Sequence, residues 1–305
     1  MPDSRHKIDI ALSFFQPSPI TSFMLSPDYV RPDNLNDVLR ALASGTFHVL
    51  AGGTDVFPAH CDRPLTVAML DITGVPDLSG ITLSDDYWRI GATTTWSMLV
   101  RSQLPPQLHG LQAAARDIGG IQIQNAGTVA GNICNASPAA DGIPALLALD
   151  AEVELSSLQG SRRLPLQDFL LDSRKTARRA DELLTALFIP HRPSARSSFL
   201  KLGHRRYLVI SIVMVSAVLE IEHGAIAHAA VAVGSCSAVA RRLHALEKKL
   251  IGEPASPAVL DHLRDDDLAG LSPIQDIRGT TAYRMDAAMS LIRRAITEAI
   301  HEQAA

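Results

Sequence analysis

Two stretches of this 305-residue chain could do chemistry through their backbone rather than through ionising side chains. Leu50-Ala-Gly-Gly-Thr-Asp55 sets adjacent glycines directly after the apolar run FHVL. Adjacent glycines let successive amide N–H groups point the same way, forming a concavity for a phosphate or pyrophosphate. An ordinary tight turn needing positive φ explains the same residues equally well. The second stretch, Gly119–Asp141, reads GGIQIQNAGTVAGNICNASPAAD and carries no charge before Asp141. Its Gly, Asn and Ser content argues against a helix or strand interior, and its lack of charge against a loose surface loop. Within it, Gly127-Thr-Val-Ala-Gly-Asn132 offers small residues, a hydroxyl and an amide that can bond backbone or ligand. Two unlinked loops of this kind suit an extended ligand whose diphosphate is gripped from two sides. Asp141 could then bond ribose hydroxyls; capping a helix over Ile143–Leu149 is a strong and compatible reading of the same residue. No Walker A sequence and no GxGxxG occurs.

The elements around these loops read as α/β in the first half. Asn34 or Asp33 caps a helix, NLNDVLRALAS, with Leu35, Val38, Leu39 and Leu42 on one face. Strands FHVLA and TVAMLDI flank the first loop and favour a small parallel sheet. Further strands are expected at 88–92, 151–155 and 183–189, with a short helix capped by Thr95 and another over 108–118. His191–Ser198, polar and with prolines at 190 and 193, reads as a linker. Beyond it, apolar strands at 211–222 and 225–235 meet at a tight His223-Gly224 turn. Helices are expected at 238–251, 256–268 and 281–300. The expected division is an N-terminal extension over 1–25, a first domain over 26–193 and an α+β domain over 194–305.

Composition removes several function classes. A formal charge of −4 with no basic run leaves no electrostatic footprint for nucleic acid. The short cluster Arg174, Lys175, Arg178, Arg179, followed by Asp181 and Glu182, reads as a solvated face. Cys61, Cys134 and Cys236 form no CxxC pair, so neither a disulfide framework nor a metal or iron–sulfur site is expected. The longest apolar run, Leu208–Leu219, is shorter than the roughly 20 residues a bilayer span needs. No signal peptide is read at the N-terminus, and a cytoplasmic protein is expected.

LAGGTDV at 50–56 and QIQNAGTVAGNICNASPAAD at 122–141 resemble the flavin-binding (medium) subunits of the xanthine dehydrogenase, or molybdenum hydroxylase, family. The resemblance extends through YVRPDNLNDVLRAL, RIGATTTWSML, DELLTALFIP, FLKLGHRR and DIRGTTAYRMDAA, covering about residues 28–300. It implies an α+β fold: a two-part, PCMH-type FAD-binding α/β domain, then a small antiparallel-sheet plus three-helix domain. It implies non-covalent FAD, with the diphosphate against Val49, Leu50, Ala51, Gly52, Gly53, Thr54, Asp55 and Val56 on one side. Thr128, Val129, Ala130, Gly131 and Asn132 would form the other. Ile118 would lie beside the flavin, Asp141 would contact the adenosine, and Leu184 and Lys201 match further cofactor positions. Without the resemblance, Leu184 reads as a strand core residue and Lys201 as a solvent-facing lysine.

The chain departs from the pattern at Gln124 and Ala126, where the family often has arginines, and at Ala130, where a double glycine is usual. The resemblance further implies partner chains: a large molybdenum-binding subunit and a small ferredoxin-like iron–sulfur subunit. Electrons would pass through FAD to NAD, a quinone or oxygen. No general acid or base is nominated and no metal site is expected. A self-sufficient flavin oxidoreductase and a flavin-free interaction subunit are the alternatives.

Overall fold

A computed structural model describes residues 28–61 and 65–301; the expected extension over 1–25 lies outside them. The first sheet is parallel, in the order β1 (Tyr29–Val30), β3 (Ala68–Asp71), β2 (Phe47–Leu50). Helix α1 (Leu35–Ala43) starts at Asn34, whose side chain accepts a hydrogen bond from the Asp37 amide. Its Val38, Leu39 and Leu42 bury against Leu70, Ile72, Val75, Leu78 and Leu183 in a small separate core. Each side chain removed from water there contributes about 1.5–3 kcal/mol before entropy.

The second sheet is antiparallel and runs β4 (Ile81–Leu83), β5 (Tyr87–Gly91), β10 (Leu183–Pro190), β6 (Glu152–Ser157), β7 (Gly160–Pro165). A two-stranded ribbon, β8 (Leu170–Asp172) with β9 (Lys175–Thr176), precedes β10. Helices α2 (Trp96–Arg101), α3 (His109–Asp117), α4 (Ile121–Ala126), α5 (Val129–Asn135) and α6 (Gly142–Ala148) lie between β5 and β6, and a single turn, α7 (Leu166–Phe169), follows β7. Trp96, Leu111, Ile133, Leu146 and Leu155 belong to the shared core, which also takes in Phe199, Met214 and Ala230 from the C-terminal part.

The third sheet, β11 (Ala195–Leu202), β12 (Val213–Glu222), β13 (Ala225–Gly234), β14 (Arg241–Arg242), is antiparallel. His223 and Gly224 take φ of 51° and 81°, the paired positive values of a type I′ turn. Helix α9 (Thr281–His301) packs on β11 and β12, and α8 (His244–Leu250) on β13.

Three expectations are corrected. The stretch 119–141 is largely helical: α4 and α5 are short, and Thr128 caps α5 by accepting the Gly131 amide at 3.0 Å. Composition misleads there because one capping hydroxyl satisfies what a longer helix would need. The linker stops at Ser194, since Ala195 already pairs with Glu220 in β11. Of the C-terminal helices, the first begins only at His244, and 256–268 holds two 3-10 turns, Pro257–His262 and Asp265–Leu268.

Arg284, 2% exposed, ties the start of β12 to the end of β13. Its Nη1 donates to the carbonyls of Ile212 (2.6 Å) and Ser235 (3.0 Å), and its Nη2 to Asp276 (2.8 Å). The Arg278 amide, then the Arg284 and Arg278 guanidinium groups, hold the Asp276 carboxyl down at about 2 from the ordinary 3.8. A depressed carboxyl contributes stability above its unfolded pKa and loses it as pH falls through the folded value. Thermal melts should therefore show Asp276→Asn less stable than the parent at pH 6, by roughly 1 kcal/mol after solvent screening. The gap should close between about pH 4 and 2; an equal gap at pH 2 and pH 6 contradicts this.

Candidate functional site

Both loops border one cavity of about 560 Å³, closed on a third side by α5 and the start of β10. That volume is in the range of small-molecule sites. The first loop leaves β2 through Gly52, where an added Cβ would lie 1.9 Å from the Ala126 carbonyl oxygen. Only glycine lets the two loops meet there. Gly53 adopts φ 69°, and a Cβ on it would meet the Phe57 ring at 2.3 Å. Among the described residues, the amides of Gly52, Gly53, Thr54 and Asp55 donate to no protein acceptor. Four successive uncommitted donors at a cavity wall are the equipment of an anion nest.

The second loop is pinned to the turn after β5. Val129 donates to the Thr94 carbonyl (3.0 Å), and Trp96 to the Gly127 carbonyl (3.2 Å). Thr128 uses its hydroxyl on Gly131, which leaves the Ala130 amide uncommitted among the described residues. Asn132 Oδ1 is buried at the cavity and has no hydrogen-bond partner among the described residues. A buried acceptor left unpaired costs about 1–3 kcal/mol, which a donor on a bound molecule would recover.

Thirteen of the seventeen residues that the resemblance implied line this cavity: Val49, Ala51, Gly52, Gly53, Thr54, Asp55, Val56, Ile118, Thr128, Ala130, Gly131, Asn132 and Leu184. Leu184 sits where β10 shifts register against β6, a bulge of the kind that re-aims side chains. Leu50 and Val129 turn into the core instead. Asp141 and Lys201 lie outside the lining, joined at 2.6 Å with both side chains almost fully buried.

Asp141 accepts from Lys201 and from the Ser211 hydroxyl, and makes no capping bond to α6. It does not serve as the capping side chain that one reading of the sequence expected. Burial raises its carboxyl above the ordinary range, opposed by the Lys201 ammonium and the Ser211 hydroxyl. Lys201 Nζ also donates to the Asp117 carbonyl (3.2 Å), next to Ile118. Ile118 and Asp141 therefore mark the same end of the site. The two residues that the resemblance implies for the flavin and for the adenosine are thus joined through Lys201 and the Asp117 carbonyl.

The departures are accounted for locally. The Gln124 side chain turns from the cavity and donates to the carbonyls of Arg116 (3.0 Å) and Ile118 (3.1 Å), finishing α3. Ala126 offers its carbonyl to the close approach of Gly52. Ala130 lies in the first turn of α5, where no positive φ is required.

The sequence reading missed the far end of the cavity. Asn135, Arg174, Thr176 and Arg178 line it, with Arg178 half-buried there and Arg174 exposed at its rim. Lys175 and Arg179 are exposed, as a solvated face requires. Only the position of the cluster just ahead of β10 could have signalled this. Among the described residues, no group of three His, Cys, Asp or Glu side chains could hold a metal ion. None of their helices is long and apolar enough to cross a membrane.

Residues 21–192 match a family model described as the FAD binding domain in molybdopterin dehydrogenase. Residues 198–299 match one described as the CO dehydrogenase flavoprotein C-terminal domain. The chain is 30% identical to the xanthine dehydrogenase FAD-binding subunit of Escherichia coli O157:H7, over 89% of this chain and 95% of that protein. It is 30% identical to the nicotine 6-hydroxylase medium subunit of Paenarthrobacter nicotinovorans, over 89% and 96%. A chain of the reconstituted CO dehydrogenase from Oligotropha carboxidovorans superposes with a TM-score of 0.83 at 27% identity, over 90% of this chain and 98% of that one.

Proposed function

Because this chain belongs to the family of FAD-binding medium subunits of molybdopterin dehydrogenases, we propose that it relays electrons between partner chains and an external acceptor. In this reading a molybdenum centre on a large subunit oxidises the organic substrate. Iron–sulfur clusters on a small ferredoxin-like subunit pass the electrons on, and NAD, a quinone or oxygen takes them from FAD. The uncommitted loop amides are the observation that carries the reading, because they suit a diphosphate and no group among the described residues uses them.

Bound FAD supplies the two-electron redox chemistry; the chain binds, orients and tunes it. The diphosphate would rest on the amides of Gly52–Asp55 and of Ala130, with Val49, Ala51, Val56, Thr128 and Gly131 closing the walls. Asn132 Oδ1 would accept from a cofactor hydroxyl. Ile118 would lie beside the flavin, as the resemblance implies, and Asp141, held by Lys201, would bond cofactor hydroxyls as a carboxylate can. Leu184 would offer an apolar wall towards the flavin. Leu50 and Val129, both in the core, would act only by holding the loops in place. The matched segments 21–192 and 198–299 support a division into a FAD-binding part, 26–193, and a C-terminal α+β part, 194–305.

Purified chain should carry close to one FAD per polypeptide by absorbance and release it intact on denaturation. Alone it should not oxidise an organic substrate, and co-assembly with the molybdenum and iron–sulfur subunits should restore turnover. Turnover by the isolated chain would make it a self-sufficient oxidoreductase and reject the relay.

A further inference from the structure

An exposed apolar face borders the Ile118 end of the cavity. Helix α4 buries none of its six residues, yet it carries two isoleucines. Ile123 reaches the cavity lining, and Ile121 is more than half exposed. The loop between β11 and β12 adds Tyr207, Leu208 and Ile210, each also more than half exposed. The two segments meet at Gly120, where an added Cβ would lie 3.1 Å from Leu208 Cδ2. Scattered exposed apolar side chains are ordinary, but a group of this kind marks a surface that another molecule covers.

The loop is held in this presentation. Lys201 and Ser211, at its two feet, both bond the Asp141 carboxylate. Leu208 takes φ 52°, a left-handed conformation unfavourable for leucine, and the Arg205 guanidinium donates to its carbonyl. Strain of this sort persists only where the surroundings fix it, and it concentrates at clamps and recognition elements. The rim is basic. Arg116, Arg205 and Arg206 are exposed there, against one half-buried carboxylate, Asp117, on which Arg206 acts. Arg206 also sits over the Tyr207 ring, 5.2 Å from its centre. This local positive excess stands on a chain of formal charge −4. Apolar residues with tyrosine and arginine among them are the composition of a protein–protein interface core.

We propose that α4 and the 203–210 loop dock the small iron–sulfur subunit, through an apolar surface with an acidic rim on that partner. The proposal rests on the FAD reading above, in which Ile118 lies beside the flavin. Ile118 and Ile123 line the cavity from either side of Gly120, the residue that Leu208 covers. A partner seated on this face therefore stands at that end of the cofactor. Electron transfer weakens steeply with distance, which selects the electron donor over the molybdenum subunit as the occupant. A permanent partner also accounts for the apolar content, since obligate interfaces are more hydrophobic than transient ones.

The test uses the full-length chain loaded with FAD and the separately purified iron–sulfur and molybdenum subunits. The variants are Ile121→Ser, Leu208→Ser, the two together, and Arg206→Glu. Leu158→Ser, on the similarly exposed β6–β7 turn, is the control. Surface plasmon resonance reads the dissociation constants, absorbance the flavin content, and sedimentation the self-association. The double variant should bind the iron–sulfur subunit at least about a hundredfold more weakly. Its FAD content, and the reduction of its flavin by dithionite, should match the parent. Arg206→Glu should lose about tenfold at low ionic strength and little in about 0.5 M salt. Absence of iron–sulfur binding in the parent, or binding that survives in the double variant, overturns the proposal. Weakened binding of the molybdenum subunit alone, or loss of self-association alone, also overturns it, because the face would then serve that chain or a second copy. A parent without FAD whose double variant still loses the iron–sulfur subunit overturns the functional reading and upholds the docking surface.

Discussion

Replacing Gly52 with valine is expected to leave the chain folded but almost free of FAD, with affinity reduced at least about a hundredfold. A hundredfold corresponds to about 2.8 kcal/mol. The Cβ alone would lie 1.9 Å from the Ala126 carbonyl oxygen and 2.9 Å from the Gly127 amide nitrogen, both backbone atoms that cannot swing away. The loops must part, and the amides of residues 52–55 then no longer face the Thr128–Asn132 wall. Flavin absorbance per polypeptide after desalting reads the effect, with circular dichroism as the check on folding. Gly270→Ala is the control, since nothing lies within 4 Å of its added Cβ. Full occupancy in Gly52→Val would show that the diphosphate does not lie between these loops. Gly131 is the weaker position, because its added Cβ would meet only the Thr128 hydroxyl, at 2.8 Å.

Lys201→Met should destabilise the chain by about 3 kcal/mol, since it leaves the Asp141 carboxylate buried without its counter-ion. Asp141→Asn together with Lys201→Met should regain more than half of that loss, because removing both charges removes the desolvation penalty. Urea unfolding of the single and double variants reads the difference. Additive losses would contradict the coupling of the two side chains. The same double variant should bind FAD more weakly, since Lys201 also holds the Asp117 carbonyl next to Ile118 in the cavity wall.

The pair also shows where sequence reasoning stops. Asp141 and Lys201 are sixty residues apart, and neither pattern nor propensity around them announces a partner. Lys201 lies two residues from the buried Phe199 and so shares its strand face, which α3 covers; an apolar alternation read from Leu200 and Leu202 puts it on the wrong side. Strands β2 and β3, helix α1 and the I′ hairpin were legible because their signals are local: apolar period, an Asn cap, a His-Gly turn. The glycine loops were legible as loops that approach something. That 119–141 contains two short helices was not, because Gly127, Gly131 and three asparagines outweigh the single Thr128 cap in any local count. Of the basic cluster, Arg174, Lys175 and Arg179 are exposed as a solvated face requires, and only Arg178 is half-buried against the cavity. Charge next to Asp181 and Glu182 suggests solvent, and only the fold shows that Glu182 is already paired with Arg162.

Asp150, at the end of α6, takes φ 53° and bonds Arg242 of β14 at 2.7 Å. Arg242 in turn holds the Leu147 carbonyl and Glu247 of α8, while Arg192 reaches both Asp150 and Glu220. This seam joins the two matched segments through charges that each half supplies in part. Recombining halves between relatives is then a question of inheritance by sets. A hybrid that takes 150 from one parent and 242 and 247 from another inherits a mismatched clasp unless the whole group travels together. In a lineage where subunits diverge for different substrates, such a clasp would tie the drift of one half to that of the other.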